Sequence, residues 1–282
     1  MGGVFEVAFG EDVFICVARK KIRHAQNEIL VGDNVAVQKI TKTKGTIEEL
    51  LPRKNRLIRP VAANIDQVCL VTAPMPPADF LLADKILINC LTEKISVVLV
   101  INKCEAASEH FFERVKSNYA NLVDGLVIVS AHKNKGIDEL KEALSGKITC
   151  FAGQSGVGKT SILNIIMPQY KGETGAISKI SRGKNTTRHT QLFAVGKDSF
   201  VLDTPGFSLL ETGEGVTSGN LYSYYGDFAE FGAQCKFKTC THTAEPGCAV
   251  KKAVEDGRVC PERYERYLDL FKELKDKERT MY

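Results

Sequence analysis

The stretch that decides the fold reads Gly153-Gln154-Ser155-Gly156-Val157-Gly158-Lys159-Thr160-Ser161. It fits the pattern Gly-x4-Gly-Lys-Thr and lies between an apolar run, 148–152, and a segment with helical spacing, 159–166. In such a loop the glycines let successive backbone N–H groups curl around phosphates. Lys159 would neutralise β- and γ-phosphate oxygens, and the Thr160 hydroxyl would ligate Mg²⁺. The stretch therefore predicts a nucleotide-binding loop, with a chance glycine-rich turn as the weaker alternative.

A second stretch, Asn102-Lys103-Cys104-Glu105, directly follows the apolar run 97–101 and predicts which base is bound. The Glu105 carboxylate can accept hydrogen bonds from guanine N1–H and N2–H₂, while Asn102 can bind the opposite edge and Lys103 can pack along the ring. A mismatched base would leave buried polar groups unpaired, at about 1–3 kcal/mol each. Ser130-Ala131 ends the next apolar run, 126–129, where a backbone N–H could reach guanine O6. Together the two stretches predict guanine selectivity, although Glu105 stands where the usual pattern has Asp.

The order of these stretches is informative in itself. In an ordinary GTPase the phosphate loop comes first and the guanine-recognition residues follow, whereas here residues 102–105 and 130–131 precede residue 153. The same pocket can form only if the chain is cut and rejoined at new points. The order therefore predicts a circularly permuted GTPase.

Asp203-Thr204-Pro205-Gly206 follows the apolar run 200–202 and predicts the remaining phosphate contacts. Asp203 would hold Mg²⁺ through water, and the Gly206 N–H would contact the γ-phosphate. The polar and basic stretch 181–190 predicts a switch in which Thr187 or Thr186 binds Mg²⁺, with a plain surface loop as the alternative. The predicted catalytic residues are accordingly Lys159, Thr160, Thr187, Asp203 and Gly206, of which Thr160 and Thr187 would be magnesium ligands.

The next residue limits the expected chemistry. Phe207 stands where Ras-like enzymes place the glutamine that orients the attacking water. Because a phenyl ring cannot orient water, hydrolysis should be slow in isolation. A partner, or another residue such as His189, must then position the water.

Apolar runs alternate with amphipathic stretches through the central part of the chain. The pattern predicts buried strands at 68–72, 97–101, 126–129, 148–152 and 200–202. It predicts helices at 80–93, 110–122, 137–144 and 159–166. This alternation argues for a mainly parallel sheet with helices on both faces.

The C-terminal part contains a group of metal-binding residue types, Cys235, Cys240, His242 and Cys248. Three sulfurs and one imidazole within 14 residues can close a tetrahedral shell, which predicts a structural Zn²⁺ rather than a catalytic one. Unrelated cysteines near a histidine are the alternative. Further on, a stripe at helical spacing predicts an amphipathic helix packed on its own domain. The stripe consists of Tyr264, Tyr267, Leu268, Phe271 and Leu274.

The first sixty residues predict a small basic β-barrel. Short β-like runs at 4–9, 13–17, 34–40 and 45–50 alternate with turns, and a five-stranded OB-type barrel fits them. This segment has eleven Lys and Arg against seven Asp and Glu, so it carries the whole net charge of +4. The basic clusters 19–23 and 53–56 lie beside loops, where they could follow a phosphate backbone or simply be solvated.

Composition excludes several classes of protein. The chain has 282 residues, 44% of them hydrophobic, and no run near the ~20 apolar residues of a membrane span. The first residues lack the apolar core of a signal peptide, which favours a cytoplasmic protein without a membrane partner. Cys16, Cys69, Cys90, Cys104 and Cys150 are scattered without framework spacing, which predicts neutral thiols rather than disulfides.

Taken together, these features resemble the ribosome small-subunit-dependent GTPase A (RsgA) family over essentially the whole chain. The most specific parts are 153–161, Arg182-Gly183-x-x-Thr186-Thr187, 203–206 and 235–251, the last including Pro246-Gly247-Cys248-Ala249-Val250-Lys251. Two positions depart from the family pattern: Glu105 replaces Asp, and Asn185 stands where many members have His.

The resemblance implies three domains: an OB-fold RNA-binding domain at 1–61, a circularly permuted GTPase domain at 62–221, and a zinc-binding and helical domain at 222–282. It implies a GTPase that binds the small ribosomal subunit and its rRNA, acts late in subunit maturation, and leaves on subunit-stimulated GTP hydrolysis. It also implies Mg²⁺ bound with GTP, a structural Zn²⁺ and a monomer. Two rival functions stay open: a nucleotide-gated RNA-binding scaffold with little turnover, and an ATPase or GTPase acting elsewhere.

Overall fold

The computed structural model of the chain describes residues 3–10, 12–24, 28–57, 61–167, 191–203, 213 and 215–280. The N-terminal part contains a four-stranded sheet in the order β1-β2-β4-β3. Its strands are β1 (Val4–Phe9), β2 (Asp12–Ala18), β3 (Val35–Lys39) and β4 (Lys44–Leu50). Phe14, Cys16 and Ala18 alternate with exposed residues along β2 and form a small core with Ile47 of β4. The four predicted strands are therefore confirmed.

Two features near this sheet differ from the sequence interpretation. The cluster 19–23 was expected beside a loop, but Lys20–His24 form a short helix, α1, in which Ile22 N–H bonds to the Arg19 carbonyl. The apolar side of Ile22 packs on the small core, which explains the helical turn. Strands β5 (Arg56–Leu57) and β6 (Ala62–Ala63) form a separate pair. Among the described residues the sheet β1-β2-β4-β3 has four strands and does not include β5. Closure into a five-stranded barrel therefore stays a prediction.

The central part forms a six-stranded sheet in the order β11-β12-β10-β7-β8-β9, parallel except for the edge strand β11. Its strands are β7 (Gln67–Thr72), β8 (Ser96–Ile101), β9 (Gly125–Ile128), β10 (Ile148–Ala152), β11 (Gln191–Gly196) and β12 (Ser199–Asp203). The helices are α2 (Phe80–Thr92), α3 (Glu109–Tyr119), α4 (Ile137–Leu144) and α5 (Lys159–Ile166). Each predicted strand and helix is present, with ends shifted by three residues or fewer. Strand β11 was not predicted.

The strand order shows how the permuted sequence still builds one pocket. Strand β10, which leads into the phosphate loop, lies between β12 and β7: Cys150 is opposite Leu202 on one side and Val68 on the other. Strands β8 and β9, which precede the predicted guanine-recognition residues 102–105 and 130–131, belong to the same parallel sheet. Because the carboxyl ends of parallel strands share one edge, the loops after β10, β8 and β9 all emerge at the same edge of the sheet. Apolar residues fill a core on each face of the sheet.

The C-terminal part packs around aromatic side chains. After a 3-10 turn at Leu221–Tyr224, it contains α6 (Gly226–Gly232), α7 (Ala249–Glu255) and α8 (Pro261–Thr280). The predicted amphipathic helix is confirmed as α8, which buries Tyr267 and Leu274 in this core. Helices α6 and α7 were not predicted.

A buried ion pair joins α8 to α2 of the central part. Asp84 accepts from Arg263 Nη1 at 2.7 Å and from Arg266 Nε at 2.6 Å. Both arginines project from α8, and Asp227 of α6 makes a second contact to Arg263 at 3.2 Å. The C-terminal part is thus attached directly to the helix that follows β7.

The scattered cysteines have the environment that the sequence predicts. Cys16, Cys69, Cys90 and Cys150 are buried thiols that form no disulfide, and Cys104 is half-buried. Burial raises the pKa of both Cys69 and Cys90, so these thiols stay neutral. Within the residues described, no helix combines the length and apolarity that crossing a membrane requires.

Candidate nucleotide-binding and metal sites

The phosphate loop connects β10 to α5, as the sequence predicts. Its conformation depends on glycine at both ends: Gly153 has φ +132° and Gly158 has φ +97°. A Cβ on Gly153 would lie 2.2 Å from the Val71 carbonyl oxygen, and one on Gly158 would lie 2.2 Å from Asn102 Nδ2. Since neither contact is sterically possible, only glycine lets the loop approach β7 and Asn102 this closely.

Lys159 lies across the mouth of this loop. Its Nζ donates to the carbonyls of Gly153 at 2.6 Å and Gln154 at 2.7 Å, and partial burial lowers the pKa of the ammonium. The carbonyls hold the positive charge at the place where phosphate oxygens would bind. The side chains of Ser155, Thr160 and Ser161 are exposed, so the Thr160 hydroxyl is available to a ligand.

Asn102 is the buried side chain that connects the two halves of the site. Its Nδ2 donates to the Val157 carbonyl at 2.8 Å, and its Oδ1 accepts from the Ala131 N–H at 3.1 Å. The amide therefore fixes the phosphate loop against the Ser130-Ala131 turn, and one Nδ2 hydrogen is left for a base. The sequence interpretation expected a backbone N–H of Ser130-Ala131 to reach guanine O6, and in this structure the Ala131 N–H donates to Asn102.

Lys103 has a role that the sequence interpretation did not include. Its backbone is left-handed, with φ +59°, and its Nζ donates to the carbonyls of Met75 and Gly156, each at 2.8 Å. The ammonium thus connects the segment after β7 to the phosphate loop. The side chain still lines the neighbouring cleft, which is compatible with its predicted packing along a base.

This cleft has a volume of about 360 Å³ and lies beside the phosphate loop. Its lining contains five predicted site residues and three others, which are Asn102, Lys103, Ala131, Gly158 and Ser161, with His132, Asn164 and Ile165. The sequence reasoning missed the last three. Two signals could have found them: His132 directly follows Ser130-Ala131, and Asn164 and Ile165 lie one helical turn after Ser161.

Glu105 lies on an exposed 3-10 turn, Cys104–Ala106, directly after Lys103. A hydrogen bond from the Ser130 hydroxyl, followed by its own backbone N–H, lowers the pKa of this carboxyl. The Cys104 N–H bonds to the Val129 carbonyl at 3.2 Å, so the turn is attached to the end of the neighbouring strand. Glu105 is therefore ionised at neutral pH and is held near Ser130, as an acceptor of guanine N–H groups requires.

The predicted magnesium residues are only partly within the described structure. Asp203 ends β12, whose parallel neighbour β10 leads into the phosphate loop, and Thr160 is the second residue of α5. Carboxylate and hydroxyl oxygens are ligands that Mg²⁺ prefers, so the residue types at these two positions fit the ion. Other predicted residues lie outside the described ranges, namely Asn185, Thr186, Thr187, His189, Gly206 and Phe207.

The four predicted zinc ligands come together with the spacing of a tetrahedral site. His242 Nδ1 lies 3.6 Å from Cys235 Sγ and 3.5 Å from Cys248 Sγ, and these two sulfurs are 4.0 Å apart. All four ligand atoms, including that of Cys240, lie within 4.8 Å of one another. Zn–S bonds of ~2.3 Å and a Zn–N bond of ~2.0 Å would give S···N near 3.5 Å and S···S near 3.8 Å. The group can therefore hold a zinc ion.

Backbone and side-chain contacts hold these ligands in place. Cys235 Sγ accepts from the Ala249 N–H at 3.3 Å, and Cys248 Sγ accepts from the Lys251 N–H at 3.5 Å, both at the start of α7. The Tyr264 hydroxyl of α8 donates to the His242 carbonyl at 2.7 Å. Such N–H···S bonds stabilise thiolates, and the tyrosine connects the metal loop to the long helix.

The fold and the site together define a P-loop nucleotide-binding protein with a permuted chain order. The model of the RsgA GTPase family matches residues 50–213, which is more than half of the chain. The small ribosomal subunit biogenesis GTPase RsgA of Ruminiclostridium cellulolyticum is 41% identical over 270 residues, covering 94% of this chain and 88% of that protein. The protein of the same name from Carboxydothermus hydrogenoformans is 38% identical over 99% of this chain and 96% of its own.

Two solved structures agree with this match. YjeQ from Thermotoga maritima superimposes with a TM-score of 0.82 at 37% identity, covering 96% of this chain and 94% of that one. YloQ, described as a circularly permuted GTPase, superimposes with a TM-score of 0.80 at 32% identity, covering 98% and 92%. The chain belongs to the RsgA GTPase family, and it is a circularly permuted, GTP-hydrolysing enzyme. The predictions of the family and of the permuted fold are confirmed.

Proposed function

We propose that this chain binds GTP with Mg²⁺ and hydrolyses it on the small ribosomal subunit, during a late step of that subunit's maturation. The observation that carries the nucleotide part is Asn102, whose buried amide joins the phosphate loop to the Ser130-Ala131 turn beside the cleft. The subunit part is supported by relatives that share the whole chain and are called small ribosomal subunit biogenesis GTPases. We place the reaction in the cytoplasm.

Each part of the nucleotide has a proposed contact. The backbone N–H groups of 153–161 and the Lys159 ammonium would bind the phosphates, and the ammonium would exchange its two carbonyl partners for β- and γ-phosphate oxygens. Glu105, ionised and held beside Ser130, would accept from guanine N1–H and N2–H₂. Adenine lacks this donor pair, so ATP would leave the carboxylate without a partner.

Thr160 and Asp203 would hold Mg²⁺ together with Thr187, and Gly206 would contact the γ-phosphate. When bound, the ion neutralises charge that develops on the phosphate oxygens. The protein's own residues position the phosphates and exclude other bases. With Phe207 in place of a water-orienting glutamine, turnover should be slow until the subunit contributes to water positioning.

The three proposed domains are 1–61, 62–221 and 222–282. The first would contact rRNA through its excess of positive charge, and the last would do so from its zinc-stabilised surface. Because β12 is followed in sequence by the 3-10 turn at Leu221–Tyr224 and then by the zinc-binding part, we expect the nucleotide state to act on that part through the intervening segment. We propose that hydrolysis weakens the rRNA contacts of both flanking domains, 1–61 and 222–282, and releases a monomeric protein.

The test compares nucleotides and partners in one assay. Hydrolysis of GTP and of ATP is measured with and without purified small subunits, and the Lys159→Ala variant reports contaminating activity. We expect hydrolysis selective for GTP that increases with subunits. The scaffold with little turnover is not favoured because Lys159 and Thr160 are in place; a GTPase that subunits leave unaffected would point to action elsewhere.

A further inference from the structure

The loop between the first two zinc ligands presents an aromatic ring to solvent. Cys235 and Cys240 enclose Lys236–Thr239, and all four of these residues are exposed. Phe237 is 42% exposed, and within 216–280 only Tyr222, at 38%, is a comparably exposed large apolar side chain. Tyr222 packs edge-on against His242, with ring centroids 5.4 Å apart, so its position is explained by the zinc site. The exposed ring of Phe237 has no such explanation.

The backbone around Phe237 is constrained from several sides. Its carbonyl accepts from the Cys240 N–H at 3.2 Å, which closes a tight turn, and the Lys236 N–H bonds to the Gly247 carbonyl at 3.3 Å. Both ends of the loop are candidate metal ligands. The backbone that carries the ring is therefore constrained before any partner arrives, which reduces the entropy lost on binding.

The charges around the ring are positive. Lys236 Nζ lies 5.6 Å from the centroid of the Phe237 ring. Lys238, the next residue after Phe237, is also exposed. Between Cys235 and Cys248 the sequence contains one carboxylate, Glu245. Its oxygens accept from the backbone and hydroxyl groups of Thr241 and from the Thr243 N–H, so they point into the loop. The surface that carries Phe237 thus combines an exposed aromatic ring with two exposed lysines, and the ammonium of one of them, Lys236, lies near the ring.

This combination fits an RNA base better than a protein surface. The centre of a protein interface is depleted of charge and usually contains several apolar side chains, whereas this ring is flanked by lysines. Proteins that bind single-stranded nucleic acid combine aromatic rings, on which bases stack, with cations that contact the backbone phosphates. We propose that Phe237 stacks on an unpaired RNA base, and that Lys236 and Lys238 contact the phosphates beside it. This proposal rests on the proposed function, because it takes the RNA to be that of the small subunit.

The experiment uses two substitutions of Phe237 in the full-length chain. Phe237→Leu keeps apolar volume but removes the π-face, and Phe237→Trp enlarges that face. Binding to purified small subunits is measured by sedimentation in a non-hydrolysable GTP analogue. The leucine variant should bind roughly 5- to 150-fold more weakly, the range for losing one stacked base, while the tryptophan variant should bind at least as tightly as wild type. Leu91→Ala, at an apolar position of α2 that is 50% exposed, is the matched control and should change nothing.

A fluorescence measurement separates RNA from protein as the partner. The natural chain contains no tryptophan, so Phe237→Trp creates a single reporter. Its emission on titration with subunits is corrected by an equal titration of the wild-type chain, which removes the signal of ribosomal proteins. Quenching is expected if a base stacks on the ring. Unchanged or stronger emission in a variant that still binds would overturn the proposal and indicate a protein contact.

The two proposals fail in different ways. If the wild-type chain does not sediment with small subunits in the GTP analogue, the proposed function is wrong. If the wild type binds and Phe237→Leu binds equally well, the function stands and the stacking proposal is wrong. Zinc content is measured in each variant, and one equivalent per chain shows that the loop is intact.

Discussion

Replacing Asp84 with Asn should detach the C-terminal helix from the GTPase part and destabilise the protein strongly. The Asp84 carboxylate is fully buried and is shared by Arg263 and Arg266, whose side chains are 3% and 11% exposed. The substitution removes the negative charge and leaves two guanidinium groups facing each other in a buried place. Asp227 still contacts Arg263 at 3.2 Å, so part of the charge stays compensated.

The size of this effect follows from the burial. Removing one partner of a buried ion pair costs about 3–5 kcal/mol, because an uncompensated charge remains inside the protein. At about 2–4 °C per kcal/mol for a unit of 150–250 residues, the melting temperature should fall on the order of 10 °C. Measurement by differential scanning calorimetry would show this shift, and limited proteolysis should cut near α8 sooner than in the wild type.

The matched control is an exposed ion pair across the same contact. Glu262 of α8 binds Arg114 of α3 at 2.9 Å, and both side chains are 43% exposed. Exposed pairs contribute about 0–1 kcal/mol, so Glu262→Gln should melt within a few degrees of the wild type. If Asp84→Asn were no less stable than Glu262→Gln, the argument that Asp84 joins the two parts would be refuted.

Three further predictions concern the two candidate sites. Lys159→Ala should fold normally but lose essentially all GTP hydrolysis in a phosphate-release assay, because the Lys159 ammonium is the group that would neutralise the β- and γ-phosphate oxygens. Asn102→Ala should weaken GTP binding, measured with a fluorescent GTP analogue, since the two loop groups left unpaired cost about 1–3 kcal/mol each; unchanged affinity would show that the amide does not organise the site. Cys240→Ser should lower the zinc content well below one equivalent and unfold the C-terminal part, whereas Cys260→Ser, outside the ligand group, should keep the metal.

Much of the fold could be predicted because its signals are local. Strand β10 is a short apolar run followed by a glycine-rich loop, and α5 begins at the residue that the loop pattern requires. Strand β11 was missed because its residues, Gln191–Gly196, are at most half-buried, so they lack the continuous apolar run of a central strand. Its pairing depends on β12, with which it forms an antiparallel edge.

In the site, too, local sequence signals could be predicted and long-range contacts could not. The residue types of Asn102 and Glu105 predicted guanine recognition, but the contacts of Lys103 could not be predicted, since its carbonyl partners Met75 and Gly156 are 28 and 53 residues away. Helix α7 is similar: it is seven residues long and begins where Cys248 accepts from a backbone N–H, so its stability depends on the zinc loop. Long-range contacts of this kind are set by the tertiary fold rather than by neighbouring sequence.

The most direct test of the whole account is the rate of GTP hydrolysis with and without purified small ribosomal subunits. We predict a slow rate for the isolated protein, a several-fold higher rate when subunits are added, and no response in Lys159→Ala. ATP should not substitute for GTP, because Asn102 and Glu105 are proposed to recognise guanine. A rate that is already maximal without subunits, or that is equal for ATP, would contradict the proposal that the permuted GTPase is timed by the subunit it binds.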